Sequence, residues 1–197
     1  MNKAVFLDRD GVINRKASTE DDYVTHWEKM TILPGVTQAI AHLNYAGFKV
    51  IVVTNQRCVS KGMITTAELD RIHQQMCDYL AGAGAKIDAV YYCPHALEPP
   101  CACRKPEPGM LLEAARAHDI DLSASWMIGD SDKDVEAGKR VGCLTARLIP
   151  DSKSACIEAD VIAPSLLAAI PKILEFQGNL HETNGFDPAF RSDHPRN

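Results

Sequence analysis

The chain has no hydrophobic run long enough to span a membrane, and this excludes one large class of proteins at the outset. None of its apolar stretches approaches the roughly 20 residues that a bilayer-spanning helix requires. The first apolar stretch, Ala4–Leu7, is followed at once by three charged residues, which is not the pattern of a secretory signal peptide. We therefore expect a cytoplasmic protein without a membrane partner.

Positive charge is also scarce. The 21 Lys and Arg residues are outnumbered by 26 Asp and Glu residues, which gives a formal net charge of −5. A nucleic-acid-binding protein normally needs a basic face, so we expect no nucleic-acid partner. We expect a small-molecule ligand instead, bound by the motifs described below.

A disulfide framework is a third feature that the chain does not offer. The seven cysteines are an odd number, and in a reducing compartment we expect thiols or metal ligands. Three of them form a cluster that is described below. The other four are scattered, and we expect them to fill space in the packed interior; they are Cys58, Cys77, Cys143 and Cys156.

The fold class follows from an alternation of short apolar runs with amphipathic stretches. The runs lack polar alternation, as in strands of a parallel sheet that is covered on both faces. The sequence predicts an α/β doubly wound sheet in one domain, residues 1–176, with a flexible polar tail at 177–197. The predicted strands are Ala4–Leu7, Lys49–Val53, Ala89–Tyr92, Ser125–Ile128, Leu144–Ile149 and Asp160–Ile162.

Five amphipathic helices are predicted between and after these strands. The first carries Val36, Ile40 and Leu43 on one face and ends at Gly47. Thr65 and Glu68 predict a capping box at the start of the second. The remaining three begin at Pro108, Asp132 and Leu166; the fourth is predicted to end at Val141 and the fifth at Phe176.

The most informative motif is Asp8-Arg9-Asp10-Gly11, directly after the first apolar run. Two carboxylates two residues apart at the exit of a strand can face the same point. This arrangement suits covalent phosphoryl transfer, in which Asp8 attacks phosphorus and Asp10 transfers a proton to and from the leaving oxygen. Gly11 allows the sharp turn that keeps the substrate position open.

Other polar residues follow other predicted strands, and the carboxyl ends of parallel strands form the usual ligand site. Thr54 is suited to bond a phosphate oxygen, together with the backbone N–H groups that follow it. Asp130 is suited to complete a magnesium site with Asp8 and the Asp10 carbonyl. We interpret Asp132 as a helix N-cap, and Asp134 as either a metal ligand or a brace beside one.

Three carboxylates next to a phosphate require cations, since their like charges would otherwise raise their pKa values and repel the substrate. Magnesium supplies two positive charges. Arg104-Lys105-Pro106 supplies more just before a predicted helix, and Lys105 is suited to act as a point charge on the transferring phosphoryl group.

A second cluster has the pattern Cys-x-His, five residues, Cys-x-Cys. Three thiols and an imidazole form a complete tetrahedral set for zinc and leave no position for a catalytic water, which predicts a structural site. The predicted ligands are Cys93, His95, Cys101 and Cys103, and the zinc would hold the adjacent Arg104-Lys105 in place.

Taken together, these motifs resemble the haloacid dehalogenase superfamily of phosphatases, and more narrowly its zinc-containing branch. That branch holds the D-glycero-D-manno-heptose 1,7-bisphosphate phosphatases and the histidinol-phosphate phosphatases. The resemblance covers about residues 3–148. It rests on residues 8–14, Val53-Thr54-Asn55-Gln56, Tyr92-Cys93-Pro94-His95, residues 101–106 and Ile128-Gly129-Asp130.

The resemblance implies an aspartyl-phosphate mechanism and a minimal cap. Asp8 would be the nucleophile and Asp10 the general acid and base, with Thr54 and Lys105 as phosphoryl stabilisers. Mg²⁺ would be held by Asp8, Asp130 and the Asp10 carbonyl. Substrate contacts are expected from Tyr23, Val24, Asn55, Gln56, Arg57 and Arg104.

Three functions are compatible with these residues. The first is removal of the 7-phosphate from a heptose 1,7-bisphosphate by a monomeric enzyme, with the second phosphate bound by cations among Arg57, Lys61, Arg104, Arg15 and Lys16. The second is hydrolysis of histidinol phosphate, whose amine and imidazole would favour Glu20, Asp21 and Asp22. The third is a non-catalytic binding protein on a phosphatase fold.

Overall fold

Strand β1, Ala4–Leu7, lies in the middle of the sheet because its four apolar residues are all buried. The structure, a computed structural model, describes residues 1–16, 19, 22–149 and 158–183, with the backbone alone for 177–183. Within these residues the strands form one six-stranded sheet in the order β3-β2-β1-β4-β5-β6, and every pair is parallel. The other strands are β2 Lys49–Asn55, β3 Ala89–Cys93, β4 Trp126–Gly129, β5 Leu144–Leu148 and β6 Val161–Ala163.

Helices cover both faces of the sheet, which explains why the strands carry no polar alternation. Val5 and Leu7 pack in one hydrophobic cluster with α1, α2 and α5, whereas Ala4 and Phe6 pack in the opposite one with α3 and α4. The predicted doubly wound architecture is confirmed. The helices are α1 Val36–Tyr45, α2 Thr66–Gly82, α3 Gly109–His118, α4 Asp132–Arg140 and α5 Leu166–Thr183.

Several predicted helix ends are confirmed by the backbone. Gly47 follows the end of α1 with φ of 80°, the left-handed conformation that glycine adopts most readily. Thr65 and Glu68 form the predicted capping box of α2. None of the described helices is both long and apolar enough to cross a lipid bilayer.

Other boundaries differ from the prediction. The N-cap of α4 is Ser131 and not Asp132, because Ser131 and Asp134 form a capping box and Asp132 becomes the first helical residue. Strand β2 includes Thr54 and Asn55, and α5 continues seven residues past Phe176. Cys156, Glu20, Asp21 and residues 184–197 of the predicted tail lie outside the described residues.

Candidate active site

Three carboxylates meet at the carboxyl end of the sheet. Asp8 follows β1, Asp130 follows β4, and Asp134 lies in the first turn of α4. One carboxylate oxygen from each lies within 4.8 Å of those from the other two. β1 and β4 are adjacent parallel strands, so their ends bring Asp8 and Asp130 together as the sequence predicted.

Lys105 forms ion pairs with two of these carboxylates. Its Nζ lies 2.9 Å from Asp8 Oδ1 and 2.6 Å from Asp134 Oδ1, and its side chain is 2% exposed. Burial alone would lower the pKa of Lys105, but the charges of Asp134 and Asp8 outweigh it and raise the pKa to about 12. Lys105 is therefore a fixed positive charge beside the predicted nucleophile.

The backbone of Lys105 is held by Asn55 at the end of β2. The Asn55 side chain donates to the Lys105 carbonyl at 3.0 Å and accepts from the Lys105 N–H at 3.1 Å. Both ends of the amide are used in this pair. The structure thus gives Asn55, predicted as a substrate contact, a role in positioning Lys105.

Asp134, predicted as either a metal ligand or a brace beside one, forms polar contacts through both of its carboxylate oxygens. One of its oxygens binds Lys105, and the other accepts from the Ser131 backbone N–H at 3.0 Å and the Ser131 hydroxyl at 2.6 Å. These bonds hold the pKa of Asp134 low despite its burial. Asp132, its neighbour on α4, instead pairs with Arg147 at 2.6 Å.

Asp10 is surrounded by hydrogen-bond donors. Arg9 Nη2 reaches both carboxylate oxygens at 3.0 Å, Asn14 donates to one at 2.9 Å, and Gln56 donates to the other at 2.8 Å. Burial raises the pKa of Asp10, but Arg9 and these bonds outweigh burial and lower the pKa below its ordinary value. Gln56 also donates to the Thr54 hydroxyl at 2.9 Å, which links Thr54 to Asp10.

Three residues of this network, Arg9, Asn14 and His73, were given no role by the sequence analysis. The Arg9 side chain is 1% exposed, and its Nη1 donates to Nε2 of the buried His73 at 3.1 Å. His73 lies on α2, 64 residues away in the chain. The one signal available was a histidine at 73 among the apolar positions of the α2 stripe, where a buried polar group needs a partner.

The backbone closes tightly around the carboxylates. Gly11 has φ of 95°, and a Cβ at this position would overlap Asp130. A Cβ on Gly129 would likewise overlap Asp134. Both glycines therefore allow an approach that any other residue would prevent.

Burial and crowding raise the pKa values of Asp8 and Asp130. Burial raises the pKa of Asp8 to about 7, Lys105 opposes this, and the charges of Asp134 and Asp10 add to it. Burial also raises the pKa of Asp130, although Lys16 at 2.6 Å partly compensates. A site of this kind favours a further cation, as the charge balance of the sequence predicted.

The predicted zinc ligands also converge. Cys93 Sγ and Cys101 Sγ are 3.5 Å apart, as are Cys101 and Cys103, and His95 Nδ1 lies 3.2 Å from Cys103 Sγ. Tetrahedral zinc with Zn–S bonds of about 2.3 Å would separate its sulfur ligands by about 3.8 Å. The four side chains thus have the chemistry and nearly the spacing of a closed zinc site.

Other predicted contacts lie around this edge of the sheet. The Arg104 guanidinium donates to the His95 carbonyl, which ties it to the Cys93–Cys103 loop. Tyr23 is half-buried with Lys61 Nζ 5.2 Å from its ring centre, whereas Val24 packs against the core. Arg57 lies in the turn after β2, where its carbonyl accepts from the Lys61 N–H.

Comparisons with known proteins agree with this geometry. The HAD-hydrolase-like family model matches residues 102–167. The D-glycero-beta-D-manno-heptose-1,7-bisphosphate 7-phosphatase of Bordetella bronchiseptica is 42% identical over 141 residues, which cover 72% of this chain and 77% of that protein. The chain belongs to this phosphatase family. The resemblance stated from the motifs is confirmed, and the chain is a phosphoric monoester hydrolase by membership.

Two further comparisons support the family assignment. The enzyme of the same name from Photorhabdus laumondii is 35% identical over 182 residues, covering 87% of this chain and 95% of that protein. A crystal structure of D,D-heptose 1,7-bisphosphate phosphatase from B. bronchiseptica, complexed with magnesium and phosphate, has a TM-score of 0.79 and 34% identity. It aligns with 88% of this chain and 99% of its own length.

Proposed function

We propose that this member of the phosphatase family removes the 7-phosphate from D-glycero-D-manno-heptose 1,7-bisphosphate in a magnesium-dependent reaction. The observation that carries the proposal is the cluster of Asp8, Asp130 and Lys105 beside the separately held Asp10. Nucleophile, cation site and proton donor then lie at one edge of the sheet. The named relatives act on this bisphosphate.

Asp8 is the nucleophile in this proposal. Its Oδ1 is held by the Arg9 backbone N–H at 2.8 Å and by Lys105 at 2.9 Å, so two donors fix the position of this oxygen. The carboxylate attacks phosphorus, the bond from phosphorus to the sugar oxygen breaks, and an aspartyl phosphate forms. Lys105 stabilises the negative charge on the equatorial oxygens during the transfer.

Asp10 supplies and recovers the proton. It protonates the leaving sugar oxygen in the first step, and in the second it takes a proton from the water that attacks the aspartyl phosphate. Arg9 and Gln56 keep it ionised before substrate binds. A phosphate dianion placed beside Asp10 raises its pKa again by like-charge repulsion, which favours the protonated form that the first step needs.

Magnesium fits the residues present. Asp8 and Asp130 offer hard carboxylate oxygens within reach of one ion, and the Asp10 carbonyl is the third predicted ligand. When bound, Mg²⁺ supplies positive charge to the phosphoryl oxygens and neutralises the carboxylates. Asp134 holds Lys105 and does not need to contact the ion.

Zinc fits the second cluster, and we propose a structural role for it. The cluster residues Cys101 and Cys103 precede Arg104 and Lys105 directly. A metal bound by the four side chains would fix the loop that ends two residues before Lys105, whose ammonium lies between Asp8 and Asp134. We also propose that Tyr23, Arg57 and Arg104 contact the substrate.

Phosphate release from three substrates tests the proposal. We expect fast hydrolysis of the heptose 1,7-bisphosphate with Mg²⁺, slower hydrolysis of sugar monophosphates, and the slowest hydrolysis of histidinol phosphate. Faster turnover of histidinol phosphate would replace the heptose assignment, although the relatives give that alternative no support.

The Asp8→Asn variant tests the mechanism. It should lose phosphate release, because an amide cannot form the acyl phosphate. The matched control is Asp132→Asn, which makes the same change in the first turn of α4, where the carboxylate pairs with Arg147 instead. A wild-type chain that is inactive with Mg²⁺ on all three substrates would favour the non-catalytic alternative.

A further inference from the structure

Lys16 places its ammonium on a predicted metal ligand. Its Nζ lies 2.6 Å from Asp130 Oδ2, although the two residues are 114 positions apart in the chain. The Asp130 side chain is 14% exposed, whereas Lys16 is 58% exposed and reaches in from the surface. Lys16 is thus the one partner of the three-carboxylate cluster, among the described residues, that has room to move.

This ion pair competes with a divalent cation for the same carboxylate. A cation coordinated by Asp8 and Asp130 would stand within a few ångströms of the Lys16 ammonium, and like charges at that distance repel strongly. Lys105 does not face the same conflict, because Asp134 on its other side retains it at 2.6 Å. Lys16 has no second carboxylate bond of this kind among the described contacts.

The space next to Lys16 is rich in positive charge. Lys16 lines a recess of about 240 Å³ together with Arg15 and Lys29. The recess also contains Asp22, whose carboxylate lies 3.8 Å from Lys29 Nζ and offsets one of the three cations. The surplus of positive charge suits an anion. Lys16 connects this recess to the carboxylate cluster, because it lines the recess and its ammonium contacts Asp130.

We propose that magnesium displaces Lys16 from Asp130, and that Lys16 with Arg15 and Lys29 then binds the phosphate of the substrate that is not hydrolysed. This proposal rests on the function proposed above, since it needs a substrate with two phosphates. Lys16 therefore has two partners in succession. Lys16 holds Asp130 before the metal arrives and binds the distal phosphate afterwards.

Magnesium titration by calorimetry tests the first half without substrate. Wild-type protein must break the Lys16–Asp130 pair to bind the ion, whereas the Lys16→Met variant does not. We expect the variant to bind Mg²⁺ about three- to fivefold more tightly, from the strength of a partly exposed ion pair. The control Lys139→Met makes the same change in net charge at an exposed site on α4 and should bind as wild type. Equal or weaker binding by Lys16→Met would overturn the displacement.

Kinetics at saturating Mg²⁺ test the second half. For Lys16→Met we expect KM to rise about tenfold for the heptose 1,7-bisphosphate, the loss of one hydrogen bond to a charged group. KM for the heptose 7-phosphate, which lacks the distal phosphate, should change less than about twofold. Arg15→Gln should shift KM in the same direction.

The outcomes separate this inference from the proposed function. If wild type prefers the bisphosphate but Lys16→Met has an unchanged KM for it, the subsite is wrong and the proposed function stands. A rise in KM of equal size for both substrates would also overturn the subsite. If wild type hydrolyses neither substrate, the proposed function and the subsite both fall, while the titration still decides the displacement.

Discussion

Protonation of His73 should destabilise the protein at mildly acidic pH. His73 is 4% exposed, and its ring lies against Tyr92 with centroids 5.4 Å apart. Because a guanidinium can only donate, Nε2 of His73 accepts from Arg9 and must be unprotonated. Burial and the Arg9 charge lower the pKa of His73 from 6.5 to about 3.

The magnitude follows from linkage between protonation and folding. Below about pH 6.5 the unfolded chain binds a proton at this histidine and the folded chain does not, so stability falls as pH falls toward the folded pKa. With an unfolded pKa of about 6.5, the loss attributable to His73 between pH 7 and pH 5 is about 2 kcal/mol. Stability from this source is fully present above about pH 6.5.

Urea unfolding at pH 7 and pH 5 measures this loss. His73→Gln retains an acceptor for Arg9 but cannot be protonated, so its stability should fall about 2 kcal/mol less than that of wild type over the interval. His42→Gln, at an exposed position on α1, is the control and should follow wild type. Any contribution of the zinc ligands to the change in the free energy of unfolding is the same in all three proteins, so it cancels in the comparison. If His73→Gln and wild type lose the same stability, the buried neutral histidine is refuted.

Variants at three further positions test the site and its supports. Cys101→Ser should lower bound zinc in a metal analysis and reduce phosphate release at least about tenfold, because the loop carries Lys105; full activity without zinc would contradict this. Gly11→Ala should reduce kcat about a hundredfold, because its Cβ would displace Asp130; a wild-type rate would show that the turn adapts. Thr65→Ala should lower the free energy of unfolding by about 1 kcal/mol with unchanged kcat, whereas Thr65→Ser should retain the cap.

The sequence predicts a monomeric protein located in the cytoplasm, and it assigns a role to each residue of the site. Zinc is supported by the spacing of its four candidate ligands and by their chemistry. Metal analysis, size-exclusion chromatography and the kinetic experiments above test most of these points.

Features that depend on neighbours in the chain can be predicted from the amino-acid order alone. Alternating apolar runs and amphipathic helices encode a covered parallel sheet, because burial on both faces removes polar alternation. Residues that follow the strands of such a sheet lie at the same edge of the sheet. The sequence therefore predicted that Asp8 and Asp130 lie close together. The Cys-x-His and Cys-x-Cys pairs predict a metal cluster, because a short loop joins them.

Contacts between side chains that are distant in the chain became known from the folded structure. Asn55 meets Lys105 across 50 residues, Arg9 meets His73 across 64, and Lys16 meets Asp130 across 114. Such pairs depend on strand order and on how each helix packs against the sheet, which local propensity and periodicity do not encode. The wrong N-cap at Asp132 has a different, local cause, since Ser131 and Asp134 form a capping box three residues apart.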